Sequence, residues 1–546
     1  MRIPIRVAVG VGTVVVVLLG STAAAAASVG DGTSRAAQIG PNGWRAHSVD
    51  WTACPDHPNE AGLRCATLDL PIDWDRPNGA TFPLAITRRA AGDPRARIGP
   101  LVFGTGGPGL SGVDHVAKAG QHLSPEILRR FDVIGFDARG VARSNPAVCS
   151  SSLLAQQPLP VPADEAGYAR WTAFSQRLYD DCRSRTGPLF DHLDTGSVAR
   201  DVDAVRAALG ERRISFYGVS YGTLLGQAYA ERFPDRIRAM ALDSVMDHSV
   251  GTTAFLRDQA ASVEDSFDEF VAWCGRARSC ALHGRDVGAG YDDLMRRAEA
   301  GTLVDPGRGT ELSWFDLSGR TFRYLYGPDW PGLAGWLDVL DRSTPPPTGG
   351  ASTTLGAGAA LPGPATAKAS GPSVTDETIQ HPFPVFCQDW SLPVKGLAEL
   401  TRYLDLSRAA APHLRVAAGA IEPAMFCAGW DGEVHSPQHR LRVGTSVPLL
   451  LINSRHDPAT PHRWAVNAAE QLGRKGRLVS YEGAGHGAYL RTPCTVGHVD
   501  RYLIDRRLPP VGAACGALAP PERPTAVDRD TLSVPAAGPT WSGTRP

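Results

Sequence analysis

Long runs of lysine or arginine are absent from this chain of 546 residues, and its formal net charge is only -1. Nothing in the charge therefore points to nucleic acid or to an anionic membrane surface as a partner. No C-x-x-C pair occurs and the cysteines are widely spaced, which argues against a zinc site. No internal repeat of fixed period is found. What is present is a 43% hydrophobic, 20% charged composition, enough to build one large or two modest globular domains and incompatible with disorder throughout.

Residues 1–30 have the three parts of an export signal: a basic start (Arg2, Arg6), an apolar run from Val7 to Leu19, and small residues from Ser21 to Ala27 that offer A-x-A cleavage sites. The apolar run is well short of the roughly 20 residues that cross a bilayer. Cleavage and release are therefore expected, with no stable membrane association. Arg2 and Arg6 are not adjacent and no cysteine directly follows the run to accept a lipid, so neither a twin-arginine nor a lipoprotein signal is present. The expected location is extracellular or cell-wall associated. All 10 cysteines lie beyond the signal, and an even count in an exported chain implies disulfides. Pairing of neighbours closes the shortest loops, so the expected bridges are Cys54 with Cys65, Cys149 with Cys182, Cys274 with Cys280, Cys387 with Cys427, and Cys494 with Cys515.

Two strand-like runs, Cys65 to Leu70 and Phe82 to Thr87, flank a turn-rich stretch and predict an antiparallel pair. Short apolar runs follow at Leu101 to Phe103, Val133 to Phe136, Ile214 to Tyr217, Met240 to Leu242, Val447 to Ile452 and Leu478 to Tyr481, as expected of buried parallel strands. One intervening helix reads as capped by Ser197, with Val198, Val202, Val205 and Leu209 on one face, and closed by Gly210; another follows Ser220 and ends near Pro234. Strands alternating with helices predict a mainly parallel α/β sheet. Roughly 200 residues separate the strand ending near Asp243 from the one beginning near Val447, far more than an ordinary connection. The expected organisation is a core in two parts, 31–246 and 441–518, interrupted by a cap over 247–440. In the cap, Thr253 to Cys280 and Trp314 to Asp341 read as helical, whereas 344–375 is proline, glycine, alanine, serine and threonine with almost no large apolar residue and is expected to be a mobile surface loop. The tail at 519–546 is expected to be disordered.

Gly218-Val219-Ser220-Tyr221-Gly222 lies between an apolar run and a helix-like stretch. That context predicts a serine on a sharp strand-to-helix turn, raised towards a base. Asp457 follows the apolar run ending at Ile452, and His486, in Gly483-Ala484-Gly485-His486-Gly487, follows the next one. The order Ser, Asp, His is that of an α/β-hydrolase triad, with all three side chains expected at the carboxyl edge of one sheet. The loop Gly104-Thr105-Gly106-Gly107-Pro108-Gly109 is expected to supply one oxyanion donor, the Gly107 N–H, and the residue after the nucleophile, Tyr221, the other. This loop lacks the Gly-Lys-Ser/Thr ending of a phosphate-binding loop. Asp243 also follows a strand but is read as structural, and Asp137 and Arg139 are read as a buried pair bracing the loop beside the oxyanion donors.

With Gly106-Gly107-Pro108-Gly109, Asp137-Ala138-Arg139-Gly140, Gly218-Val219-Ser220-Tyr221-Gly222-Thr223, Asp457-Pro458-Ala459-Thr460-Pro461 and Gly485-His486-Gly487 in this order, the chain resembles the secreted bacterial tripeptidyl aminopeptidases, α/β-hydrolases related to proline iminopeptidase. The likeness runs from about Trp51 to Cys515 and includes Phe386-Cys387-Gln388-Asp389-Trp390. It implies a mainly parallel, eight-stranded sheet with a large, mostly helical cap, a triad of Ser220, Asp457 and His486, and release of short peptides, tripeptides in the named family, from free amino termini. Where proline iminopeptidases usually carry His at the start of the glycine loop, Thr105 stands here, which fits the secreted branch. An exopeptidase must also recognise the substrate ammonium, and Asp389 is the candidate carboxylate. The expected enzyme is a monomer that needs neither metal nor cofactor. A secreted carboxylesterase on the same triad is the alternative, since fold and triad do not choose between ester and amide. A non-catalytic extracellular binding protein is the second alternative.

Overall fold

The computed structural model describes residues 39–518 apart from 47, 61, 308 and 344–377. The expected export signal, the segment at 344–375 and the tail at 519–546 lie outside these described residues.

Among the described residues, ten strands form one sheet: β1 (Thr52–Ala53), β2 (Leu63–Pro71), β3 (Thr81–Arg89), β4 (Gly99–Gly104), β5 (Phe131–Phe136), β6 (Ile214–Val219), β7 (Ile237–Asp243), β8 (Leu449–His456), β9 (Gly476–Ala484) and β10 (Ala514–Cys515). They lie in the order β1-β2-β3-β5-β4-β6-β7-β8-β9-β10. Pairings from β5 to β10 are parallel, and β1, β2 and β3 join antiparallel at one edge. Since β1 and β10 hold two residues each, the long strands β2 to β9 are the expected eight. Successive residues of a strand point to opposite faces. Leu101 and Val102, Val133 and Ile134, and Leu450 and Leu451 accordingly enter two different apolar cores, which is why these strands read as unbroken hydrophobic runs.

The helices that matter for the site are α1 (Glu165–Thr186), α2 (Thr195–Ala208), α3 (Tyr221–Arg232), α4 (Thr252–Arg276), α5 (Trp314–Tyr326), α6 (Trp330–Arg342) and α7 (Ala418–Ala428). The cap of α2 is Asp194, not Ser197: its carboxylate accepts the Ser197 N–H at 2.9 Å and the Ser197 hydroxyl at 2.7 Å. A carboxylate there also meets the positive end of the helix dipole. The helical stretch from Trp314 to Asp341 is two helices, broken between Tyr326 and Trp330. Pro328 explains the break, because it lacks an N–H and disfavours helical geometry in the residue before it.

The helical layer over the sheet draws on more than the expected insert. Helix α1, which precedes β6, packs on α7, with the Trp171 indole donating to the Met425 carbonyl at 2.7 Å and the Ser175 hydroxyl to that of Phe426. Helix α4 lies along the loop after β8: Ser262 donates to the Asp457 carbonyl at 2.6 Å, Ser266 to the His456 carbonyl at 2.8 Å, and His456 Nδ1 pairs with Asp265 at 2.8 Å. All five neighbour disulfides are formed as expected.

The expected Asp137–Arg139 pair is not made, because the two side chains meet different elements. Arg139 pairs with Asp201 of α2 through two contacts of 2.7 Å, and it also donates to the carbonyls of Pro71, Ile72 and His192. Asp137 instead accepts from Ser111, the Val113 N–H and Arg143.

Both partners of the Arg139–Asp201 pair are fully buried, so removing one charge leaves the other stranded in low dielectric. Asp201→Asn is expected to lower the unfolding free energy by about 3–5 kcal/mol in urea denaturation; a loss below about 1 kcal/mol would contradict the pairing. The His456 tie to α4 carries a pH dependence. Burial pushes the His456 imidazole down, but the Asp265 hydrogen bond and charge, helped by Glu269, outweigh it and hold the pKa above the usual 6.5. A raised pKa in the folded state stabilises at low pH, and the contribution is lost as pH rises past 6.5 and through the raised value. Amide exchange in α4, corrected for intrinsic rates, should therefore quicken as pH rises through neutrality, and His456→Gln should abolish that dependence.

Candidate active site

Ser220 follows the buried strand β6 and stands at φ 58° and ψ -123°, a conformation that costs a non-glycine residue about 1–3 kcal/mol. Its surroundings enforce it. The Ser220 N–H donates to the Asp243 carbonyl at 3.0 Å, and the Thr223 N–H and hydroxyl both donate to the Ser220 carbonyl, at 2.8 and 2.6 Å. The turn also needs bare backbone: a Cβ on Gly222 would stand 2.1 Å from the Gly104 carbonyl oxygen, and one on Gly218 would stand 2.4 Å from that of Gly222. Tyr221 opens α3, so its N–H has no acceptor within the helix and lies at the positive end of the dipole.

Asp457 follows β8 and is fully buried. One of its oxygens accepts the N–H groups of Ala459 and Thr460 at 2.9 and 3.0 Å; the other accepts the hydroxyls of Ser244 and Thr460 at 2.8 and 2.9 Å. His486 Nδ1 lies 2.9 and 3.0 Å from the two oxygens. Burial alone would raise the Asp457 pKa, but the neighbouring His486 and these hydrogen bonds hold it below the usual carboxylate value. Asp457 is thus an anion that fixes the His486 ring and favours the tautomer with its proton on Nδ1.

His486 follows β9 and is itself fully buried. Its N–H donates to the Tyr326 carbonyl at 2.9 Å. The Tyr326 ring lies over the imidazole, with centroids 4.5 Å apart and planes at 41°. The Ser220 hydroxyl hydrogen-bonds to the Tyr326 hydroxyl, while His486 Nε2 is buried with no hydrogen-bond partner among the described residues. The structure therefore brings Asp457 and His486 together and sets Ser220 on Tyr326, without a Ser220–His486 hydrogen bond. Burial, and then the charge of Asp457, push the Tyr326 phenol well up, so it is a neutral hydroxyl.

The glycine loop borders the nucleophile. A Cβ on Gly106 would stand 3.2 Å from the Ser220 Cβ, and the next peptide unit carries the Gly107 N–H. Thr105 donates to the Leu110 carbonyl at 3.0 Å and closes the loop. Gln380 bridges it to the turn after β5, donating to the Gly109 carbonyl at 2.9 Å and accepting the Ala142 N–H at 2.6 Å. Asp243 accepts the N–H groups of Ala488 and Tyr489 at 2.8 and 2.9 Å and the Tyr217 hydroxyl at 2.9 Å, so it clamps the chain just past His486. Asp389 is fully buried; one oxygen accepts the Thr195 N–H at 2.7 Å and the other its hydroxyl at 2.5 Å, and the Thr195 oxygen lies 2.6 Å from that of Tyr221.

Four residues here escape a reading of the sequence: Tyr326, Ser244, Thr460 and Gln380. Thr460 had a local signal, since a hydroxyl three residues after an aspartate commonly folds back onto it. Tyr326 had a weaker one, its place just before a Gly-Pro helix break. Ser244 and Gln380 act through partners distant in sequence and had none.

Residues 99–308 match the family model described as the alpha/beta hydrolase fold, and residues 414–515 match that of the TAP-like proteins. Serine protease Hip1 of Mycobacterium tuberculosis is 32% identical over 493 residues, covering 86% of this chain and 91% of that protein. Carboxylesterase B of the same organism is 31% identical, over 85% of this chain and 89% of its own length. Tripeptidyl aminopeptidase of Streptomyces lividans is 29% identical, over 87% of each chain. This chain accordingly belongs to the α/β-hydrolase family, as a serine hydrolase whose carboxyl-terminal part is TAP-like.

Proposed function

We propose that this chain is an exported serine peptidase that releases short peptides, tripeptides in particular, from free amino termini. The observation that carries the reading is the Asp457–His486 pair, an enclosed carboxylate bonded to Nδ1 of an imidazole, on the same sheet edge as a serine held in a strained strand-to-helix turn. In this reading His486 Nε2 takes the Ser220 proton as Oγ attacks the scissile carbonyl. The N–H groups of Tyr221 and Gly107 receive the oxyanion, and the proton passes to the leaving amine. Water activated by the same imidazole then releases the acyl group. A carboxylate, an imidazole and a hydroxyl supply all of this chemistry.

Similarity to a serine protease and to a tripeptidyl aminopeptidase over most of the chain supports a peptide substrate. The disulfides are compatible with export, and among the described residues no helix is long and apolar enough to cross a membrane. Asp389 enters this proposal as a brace, not as the ammonium site: both of its oxygens are taken by Thr195, which backs the Tyr221 side chain beside the nucleophile. The similarity to carboxylesterase B favours a second reading, an esterase on the same residues.

The test is a digest of free and N-acetylated peptides, run beside short acyl esters and read by mass spectrometry. Tripeptides should appear from free termini only, and Ser220→Ala should lose activity by on the order of 10^6-fold. Turnover of esters without any peptide cleavage would replace the peptidase with the esterase. Equal cleavage of blocked peptides would remove the exopeptidase claim.

A further inference from the structure

Helix α5 reaches the nucleophile through Tyr326. Tyr326 is the last residue of α5 and is 6% exposed. Its carbonyl is tied to the His486 N–H, its ring covers the imidazole, and its hydroxyl holds that of Ser220. Pro328 lies against the same loop, since a Cβ on Gly485 would stand 2.4 Å from its Cδ. A serine hydroxyl has one proton. While Tyr326 holds the Ser220 oxygen, with either hydroxyl able to be the donor, His486 Nε2, the atom that must accept the serine proton, stays buried and unpartnered among the described residues.

We propose that Tyr326 is a plug: it occupies the reaction site of the free enzyme and must be displaced by the substrate before Ser220 can pair with His486. The inference rests on the reading of Ser220 as nucleophile. Distances carry it further. An attacked carbonyl carbon must sit about 3–3.5 Å from Oγ, while a phenol oxygen in a hydrogen bond to Oγ sits about 2.8 Å away. The plug places both on one approach to Oγ, where they cannot stand together. Because the Tyr326 backbone is anchored to the His486 loop, the movement falls to its side chain and to the Gly327-Pro328 break, not to the whole cap. Tyr326 thus acts as a positioning residue that sets the fraction of enzyme able to react.

The test uses the full-length enzyme and diisopropyl fluorophosphate, which forms a phosphorus–oxygen bond to the serine as fluoride leaves and the serine proton passes to the histidine. Tyr326→Phe keeps the ring and removes the hydroxyl, so it should be labelled about five-fold faster than wild type, the effect of freeing one neutral hydrogen bond. With peptide substrates the same variant should show a lower KM and an unchanged kcat, because less enzyme is withheld from binding. A merely structural role would not speed labelling. Labelling of Tyr326→Phe at or below the wild-type rate, with unchanged thermal melting, overturns the plug. Tyr326→Ala, labelled no faster than wild type, overturns it independently. If wild type fails to label at all, or labels as Ser220→Ala does, the nucleophile assignment falls and the plug with it; if wild type labels and Tyr326→Phe does not differ, only the plug falls.

Discussion

The Asp457 carboxylate is the point on which the rest of the site hangs. A buried anion is tolerated only when its hydrogen-bonding capacity is filled. Asp457 meets that demand with the N–H groups of Ala459 and Thr460, the hydroxyls of Thr460 and Ser244, and the ring of His486. Those partners come from the ends of β7, β8 and β9, so satisfying one charge also fixes the positions of three loops. Ser244 shows the economy of this arrangement, since its oxygen donates to Asp457 and accepts the Gly487 N–H at 2.8 Å. The Asp457 carbonyl in turn accepts from Ser262 of α4, which couples the acid loop to that helix.

The segment between β7 and β8 is therefore fastened to the loops that carry Asp457, His486 and Gly107. Helix α4 grips the residues around Asp457, the α5–α6 break grips His486, and Gln380 grips the glycine loop. The buried network of Asp389, Thr195 and Tyr221 stiffens the floor under this arrangement, behind the nucleophile turn.

The sheet was legible because burial on both faces leaves a plain signature. Runs such as Leu101 to Phe103 and Val447 to Ile452 had no amphipathic alternative, and each became a strand. The helix cap at Asp194 was misread by three residues because the structure uses a carboxylate reaching forward to the Ser197 N–H, where a serine at the right composition boundary suggested itself. Order and spacing singled out Ser220, Asp457 and His486. Asp457 and His486 lie together, while the contact of Ser220 with Tyr326 was invisible because it joins residues more than a hundred positions apart through a helix break. Arg139 teaches the same lesson: Asp137 is its neighbour in sequence, but Asp201 is its partner in space. Local pattern identifies elements and motifs, whereas pairings across elements depend on packing that a single sequence does not display.

The central claim is that Ser220 becomes acylated. The most direct measurement is rapid acid quenching of the enzyme during turnover of a tripeptidyl nitrophenyl ester, followed by intact-mass and peptide-mapping spectrometry. The account predicts a transient adduct of one tripeptidyl group on the peptide that contains Ser220, absent from Ser220→Ala. Turnover without an adduct in Ser220→Ala at the wild-type rate, or an adduct on any other residue, would contradict it.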